Sequence, residues 1–292
     1  VSKLKFFPAV ILTTVAAIWG GAFVAMKDTL VRLDVNSFLA WRFIIATSLL
    51  VLIRPRVLKQ FNMAFIKKGA LIGTFLGLGY IFQSFGLTLT TVGKTGFITG
   101  LYVVLTPIVA AIVLRKHTNK YEWASVALAT AGLALLSFHG FSIGLGEFLV
   151  LVSAFWFACH IVALGEWASG LDVYALTVLQ LATCAVITFI ASLKSGFHTP
   201  PDSGVWAAII YTAVFATALA FIVQTWAQSF MRANTVAVVL TMEVPFAAVF
   251  GILILKEDLT ARIATGGLLV LVAMYLIILL DNKRNEVVVA ND

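Results

Sequence analysis

Six side chains inside long apolar stretches could do chemistry: Arg42, His160, Glu243 and the amides of Gln83, Gln180 and Gln224. Glu243 is the one acidic residue deep within such a stretch. An ionised carboxylate is expensive in an apolar interior, so Glu243 needs a partner, a proton or a ligand. It could be a proton or cation site, or meet a substrate ammonium. The structural alternative is a neutral acid capping backbone groups loosened by Pro245. Arg42 cannot shed its charge and must pair, snorkel outward or face a wet cavity. It could hold a substrate carboxylate, or tie its helix to neighbouring carbonyls or to Asp34.

Trp19 and Trp156 stand near the middle of their stretches, whereas tryptophans of membrane helices gather at the two interfaces. They could form aromatic walls, with Phe23 and His160 one turn further along the same faces. Tyr80, Gln83, Tyr102, Gln180 and Gln224 add hydrogen-bonding groups. Each alone reads as a packing residue, but as a set they describe a substrate cavity with aromatic walls and a few polar contacts. His160 is of the type that titrates near neutrality, and equally a helix–helix hydrogen bond. Lys94 and Arg232 each open an apolar stretch. A cation at a helix N-terminus reinforces its pull on anions, so these two could make matched anion-attracting mouths; interfacial snorkelling is the plainer reading.

Other chemistry finds little support. His117, His139, His160 and His198 fall in separate segments without metal-ligand spacing. Cys159 and Cys184 both lie in apolar runs, which indicates neither a disulfide framework nor a thiolate metal site. Gly93-Lys94-Thr95 mimics the end of a P-loop, but the motif's leading glycine would fall on Thr88 and no strand precedes it. Nothing resembles an ion-selectivity filter or a ring of charges.

The elements that must position these groups follow from composition. The chain is 61% apolar and 11% charged, with a mean hydropathy of +1.04. A water-soluble domain is about a quarter charged, so only a membrane offers a suitable solvent. Reading charges and turn residues as breaks gives ten apolar spans, at about 6–27, 35–53, 69–89, 95–114, 122–138, 147–166, 173–193, 204–230, 233–255 and 262–281. The expected class is thus an all-α membrane protein. Lys3 and Lys5 before the first span resemble a signal peptide, but the uncharged run from Phe6 to Met26 is long enough to span and is read as a retained helix. Lysines and arginines outside the spans divide thirteen against six if the N-terminus is cytoplasmic, which predicts both termini there and explains the net charge of +7 without nucleic acid.

The chain also repeats itself. An offset of 138 relates Lys94 to Arg232, Pro107 to Pro245, Leu33-Asp34-Val35 to Leu171-Asp172-Val173, and Arg42 to Gln180; an offset of 137 relates Trp19 to Trp156. A nearly constant offset argues for a duplicated unit, repeat one at about 6–138 and repeat two at about 147–281, within a single domain spanning 1–292. Five spans per unit is odd, so the second copy must enter the membrane upside down. Inverted five-helix repeats are an architecture of secondary transporters with a site near the midplane. Gly69, Gly73 and Gly77 form a small-residue face for close helix packing.

Ile18-Trp19-Gly20-Gly21-Ala22-Phe23-Val24, Phe38 to Leu52 with Arg42, and Leu255-Lys256-Glu257-Asp258-Leu259-Thr260 together resemble the drug/metabolite transporter superfamily, in its EamA-type ten-helix branch. One departure is Val244, which separates Glu243 from Pro245 where the family writes the pair adjacent. The resemblance implies export or exchange of small metabolites, amino acids or aromatic compounds among them. It implies passage across the inner (plasma) membrane by alternating access, without cofactor, ATP or nucleic acid, by a monomer or homodimer in contact with lipid. An intramembrane enzyme or a channel is the competing class.

Overall fold

Two matched aspartates start two matched helices. A computed structural model describes residues 3–115, 118–137, 144–255 and 260–291. Asp34 Oδ1 accepts from the amides of Asn36 and Ser37, both at 3.1 Å, and caps a helix at Val35–Ile53. Its repeat mate Asp172 accepts from the Ala175 amide at 2.8 Å and caps Val173–Ser192. Each such cap satisfies an orphan amide and is worth about 1 kcal/mol. The shared Leu-Asp-Val is therefore a helix-start signal used twice.

The described residues contain no strand. In chain order the helices are α1 (Lys3–Arg32), α2 (Val35–Ile53), α3 (Met63–Leu89), α4 (Val92–Gly100), α5 (Tyr102–Leu114), α6 (Lys120–Ser137) and α7 (Leu145–Trp167). There follow α8 (Val173–Ser192), α9 (Ser203–Ala213), α10 (Ala220–Gln228), α11 (Ala233–Leu240), α12 (Glu243–Leu255) and α13 (Ala261–Asn291). A 3₁₀ turn, Pro55–Gln60, links α2 to α3. Among the described residues eight rods are long and apolar enough to cross a membrane, counting α4 with α5, α9 with α10, and α11 with the first part of α12 as single spans. The fifth and tenth expected spans correspond to α6, whose 18 residues carry Lys120 and Glu122 in the first turn, and α13, whose apolar run is Ala264–Leu280. Lys116, His117, His139 and the Lys256-Glu257-Asp258-Leu259 turn lie outside the described residues.

Three of the spans are irregular, and each irregularity faces the centre. The fourth is broken at Leu101, between α4 and α5. Its repeat mate is broken at Thr241 and Met242, whose amides turn back to the carbonyls of Val238 and Val239 at 3.2 Å. Pro245 then sits as the third residue of α12, where a missing amide hydrogen leaves no helical bond unmade. Glu243 is consequently the first residue of a half-helix that begins inside the bundle. With Val244 between Glu243 and Pro245, the half-helix starts at Glu243. Between α9 and α10 the backbone widens into a π turn at Val214–Leu219.

The two halves of the chain interlock. α1 packs on α12 and on α10 and α11, and reciprocally α7 packs on α4 and α5. α3 lies against α7 and α8, α2 against α8 and α9, and α6 against α13. The Gly69–Gly73–Gly77 face receives α8: a side chain at Gly73 would strike the Gln180 carbonyl, and Cys184 Sγ donates to the Gly73 carbonyl at 3.2 Å. Ion pairs stitch the loops, Arg32 to Asp202 at 2.9 Å and Arg54 to Asp172 at 3.1 Å. Partial desolvation pushes the Asp172 carboxyl up, but the Ala175 amide, Gln60 and Arg54 outweigh it and hold the group below the ordinary aspartate value.

Candidate functional site

Where the broken and bulged spans meet, α1, α2, α3, α4, α5, α7, α10, α11 and α12 enclose a cavity of ≈ 50 Å³. That is room for about one or two water molecules, so a metabolite enters only if the helices part. Nine of the ten expected substrate residues line it: Trp19, Phe23, Arg42, Tyr80, Gln83, Tyr102, His160, Gln224 and Glu243. Trp156 does not. It stacks on Phe75 at 5.9 Å, and its neighbour Phe157 takes the place in the cavity wall. The reason is register. The offset of 138 that relates the capping aspartates and the prolines pairs Trp19 with Phe157, and reading 137 there rotates the helix by one residue, about 100°.

Arg42 is 1% exposed and wholly engaged by the protein. Nε donates to Thr217 Oγ1 at 2.6 Å, Nη1 to Met26 Sδ at 3.5 Å, and Nη2 to the Ala216 carbonyl at 3.2 Å and the Tyr80 hydroxyl at 3.3 Å. Its guanidinium carbon lies 4.5 Å from the Tyr80 ring centre, a cation–π contact. Asp34 spends its carboxylate on the α2 cap instead, so of the two expected ties the carbonyl one is present. The Ala216 carbonyl also accepts from Trp19 Nε1 at 2.8 Å. The π turn explains both bonds. A widened turn releases carbonyls from the helical ladder, and the freed oxygen anchors Arg42 of α2 and Trp19 of α1 together.

Three polar atoms around the cavity are buried without a hydrogen-bond partner: Tyr102 Oη, Gln224 Oε1 and Glu243 Oε1. Tyr102 and Glu243 are neighbours, from α5 and α12, close enough for the phenol and carboxyl to interact though outside ordinary hydrogen-bond geometry. Glu243 is 4% exposed and forms no ion pair among the described residues. Behind the wall, His160 Nε2 bonds Gln180 Oε1 at 2.8 Å, and Gln180 Nε2 donates to Thr225 Oγ1 at 3.0 Å. Gln180, the repeat mate of Arg42, thus braces α7, α8 and α10 as Arg42 braces α2, α3 and the π turn. Gln83 Nε2 donates to Thr99 Oγ1 at 3.1 Å across the lining.

Lys94 and Arg232 stand apart from the cavity, and both are neutralised. Lys94 Nζ pairs with Glu147 Oε1 at 3.0 Å, and the Thr90 hydroxyl donates to the same oxygen at 2.7 Å. Arg232 pairs with Glu122, whose Oε2 also accepts from Asn234 Nδ2 at 3.0 Å. A cation already matched by a carboxylate exerts little pull on a passing anion, so these residues act as cross-links between halves in this conformation. Sequence reading placed Glu122 and Glu147 only as span starts, and it left Phe157, Thr99, Phe221 and the π turn unmarked. Among the described residues no cluster of histidine, cysteine or carboxylate side chains could hold a metal ion.

Comparison with known proteins fits this geometry. The model of the EamA-like transporter family matches the chain twice, at residues 7–138 and 144–279. An uncharacterized transporter of Archaeoglobus fulgidus is 32% identical over 267 residues, covering 91% of this chain and 84% of that one. The uncharacterized transporter YoaV of Bacillus subtilis is 23% identical, covering 91% and 94%. A solved crystal structure superposes with a TM-score of 0.76 over 94% of this chain and 98% of its own, at 14% identity, which speaks to the fold alone. The chain belongs to the EamA-like transporter family, within the drug/metabolite transporters, as a multi-pass membrane transporter.

Proposed function

We propose that this protein is a secondary transporter that moves small metabolites, amino acids or aromatic compounds among them, by alternating access as an exporter or exchanger. One observation carries the reading: a central, mainly apolar cavity with aromatic walls and a few polar groups is built from both halves of the chain, at the point where two repeat-related spans break. Ten spanning helices in two inverted five-helix repeats, both termini in the cytoplasm of a cell bounded by its inner membrane, complete the picture. The two matches to one family model and the reciprocal packing of α1 on α12 and α7 on α5 support a two-fold relation between halves. An odd span count makes that axis lie in the membrane plane.

In this reading the conformation described is a closed one. The cavity is too small for a metabolite, and ion pairs cross between the halves at Lys94–Glu147 and at Arg232–Glu122. Transport then consists of breaking one set of contacts at a time around a fixed site. Glu243 is the coupling candidate, taking up a proton when the cavity opens to one side and losing it on the other. Screening purified protein by thermal shift against amino acids, sugars, nucleosides and aromatic acids identifies a ligand. Counterflow of that ligand in proteoliposomes should be stimulated by unlabelled ligand inside. A channel or an enzyme gives no such stimulation, and that result would overturn the proposal.

A further inference from the structure

Of the three unpartnered atoms of the cavity, one is fixed as an acceptor by a chain of hydrogen bonds. The Ile161 backbone carbonyl can only accept, so the Gln228 side chain that meets it at 2.7 Å must present its amide nitrogen. Gln228 Oε1 then faces Gln224 and accepts from Gln224 Nε2 at 2.9 Å. With its nitrogen so committed, Gln224 turns Oε1, an acceptor, toward the cavity. Glu243 Oε1 and Tyr102 Oη are the other two, a carboxyl oxygen and a neighbouring phenol whose O–H can donate to that carboxyl while its own oxygen still accepts. A buried acceptor without a donor is costly, and such groups are rare unless something supplies the missing bond.

Apart from the Tyr102 hydroxyl, the site's main donors are, by contrast, committed to protein acceptors. Arg42 makes four bonds to protein acceptors. Trp19 Nε1 is held by Ala216, and Gln83 Nε2 by Thr99. The Tyr102 hydroxyl can serve Glu243 alone, so Gln224 Oε1 and the remaining lone pairs of the carboxyl and the phenol still lack donors.

We infer that, within the transporter reading above on which this rests, the obligatory feature of the substrate is a protonated amino group. The ammonium is held by Glu243, Gln224 and Tyr102, and a substrate carboxylate is dispensable. An ammonium offers three N–H donors to three oxygens and neutralises Glu243. The faces of Trp19, Phe157 and Phe221 around it favour a cation with an apolar body. Arg42 holds the π turn in place and is a positioning residue, not the substrate's anion clamp.

The matched probes 2-phenylethylamine, phenylalanine and 3-phenylpropionate test this by tryptophan-fluorescence titration of the purified chain. The first two should bind, and 3-phenylpropionate, which lacks the amine, should bind at least about tenfold more weakly, the value of one lost charge-assisted hydrogen bond. Glu243→Gln and Gln224→Leu should each weaken 2-phenylethylamine by about tenfold or more. Tyr102→Phe keeps shape and should weaken it less. If 3-phenylpropionate binds as well as the amine, and Trp19→Ala abolishes that binding, the cavity is the site but the amine requirement is wrong. If amine binding survives all the cavity variants, the cavity reading itself fails. Failure of the amines to bind at millimolar concentration overturns the inference while leaving counterflow to judge the transporter reading.

Discussion

Replacing Gly20 by alanine adds one methyl group where α1 crosses the backbone of α12 beside the site. A β-carbon there would stand 2.7 Å from the Glu243 carbonyl oxygen and 2.8 Å from the Ala247 amide nitrogen. Both are backbone atoms of α12, so no side chain can swing away, and α1 must move roughly 0.7 Å to restore ordinary contact. Overpacking of this kind costs about 1–3 kcal/mol. The exchange of glycine for alanine within a helix returns about 1 kcal/mol. The net loss is about 0–2 kcal/mol, so the melting temperature should fall by no more than about 5 °C. Function should suffer more, because the displaced residue is Glu243 and binding sites tolerate only about 0.5 Å of error. Counterflow per folded molecule should drop by about tenfold or more. Gly267→Ala is the control, since a β-carbon there meets nothing within 4 Å. If Gly20→Ala transports like Gly267→Ala, the close approach of α1 to α12 does not position the site.

Other outcomes follow from the same geometry. Gly132→Ala would place a β-carbon 2.7 Å from the Gly266 carbonyl, between α6 and α13, away from the cavity; thermal melts should show a loss of about 1–3 kcal/mol offset in part by helix propensity, with transport per folded molecule unchanged. Glu243→Gln keeps a hydrogen-bonding side chain without the titrating proton, so it should abolish accumulation driven by a pH gradient yet retain exchange at equal pH once ligand is raised by about the factor lost in binding; accumulation like the parent's would make Glu243 a structural acid. Asp172 is held below its ordinary value, so its contribution to stability should be complete above the unfolded aspartate pKa of about 4 and be lost as pH falls through the lower folded value. Melts of Asp172→Asn against the parent should accordingly differ by a constant amount from pH 5 to 8 and converge only in acid.

Much of this architecture was legible in the residues. Leu-Asp-Val written twice marks two helix caps, because an aspartate before an apolar run has one good use. Pro245 points to the break that starts α12, whereas its repeat mate Pro107 lies inside α5, six residues past the break at Leu101. Arg42 and Glu243 are visible because charge in an apolar stretch needs a reason. What stayed hidden is what backbone geometry decides. Val-Phe-Ala-Thr-Ala-Leu has no mark that distinguishes a π turn from ordinary helix, yet that turn frees the carbonyl holding Trp19 and Arg42. Helical rotation decides between Trp156 and Phe157, and tryptophan is the more eye-catching residue, while the shared offset favours its neighbour. Lys94 and Arg232 read as anion lures because their glutamate partners lie 53 and 110 positions away in sequence.

Access to the cavity from both sides of the membrane is the most direct test, and it needs no substrate. Thr99 lines the cavity and is 2% exposed, so a cysteine there reacts with a bulky membrane-impermeant maleimide only when the helices part. With Cys159 and Cys184 replaced by alanine, Thr99→Cys is labelled in oriented vesicles from the outside, and separately from the inside. Alternating access predicts slow labelling from each face, and slower labelling from both when a ligand found by thermal shift holds the cavity closed. Labelling from one face alone, or from neither, would contradict the central claim that this cavity is the site through which substrate crosses.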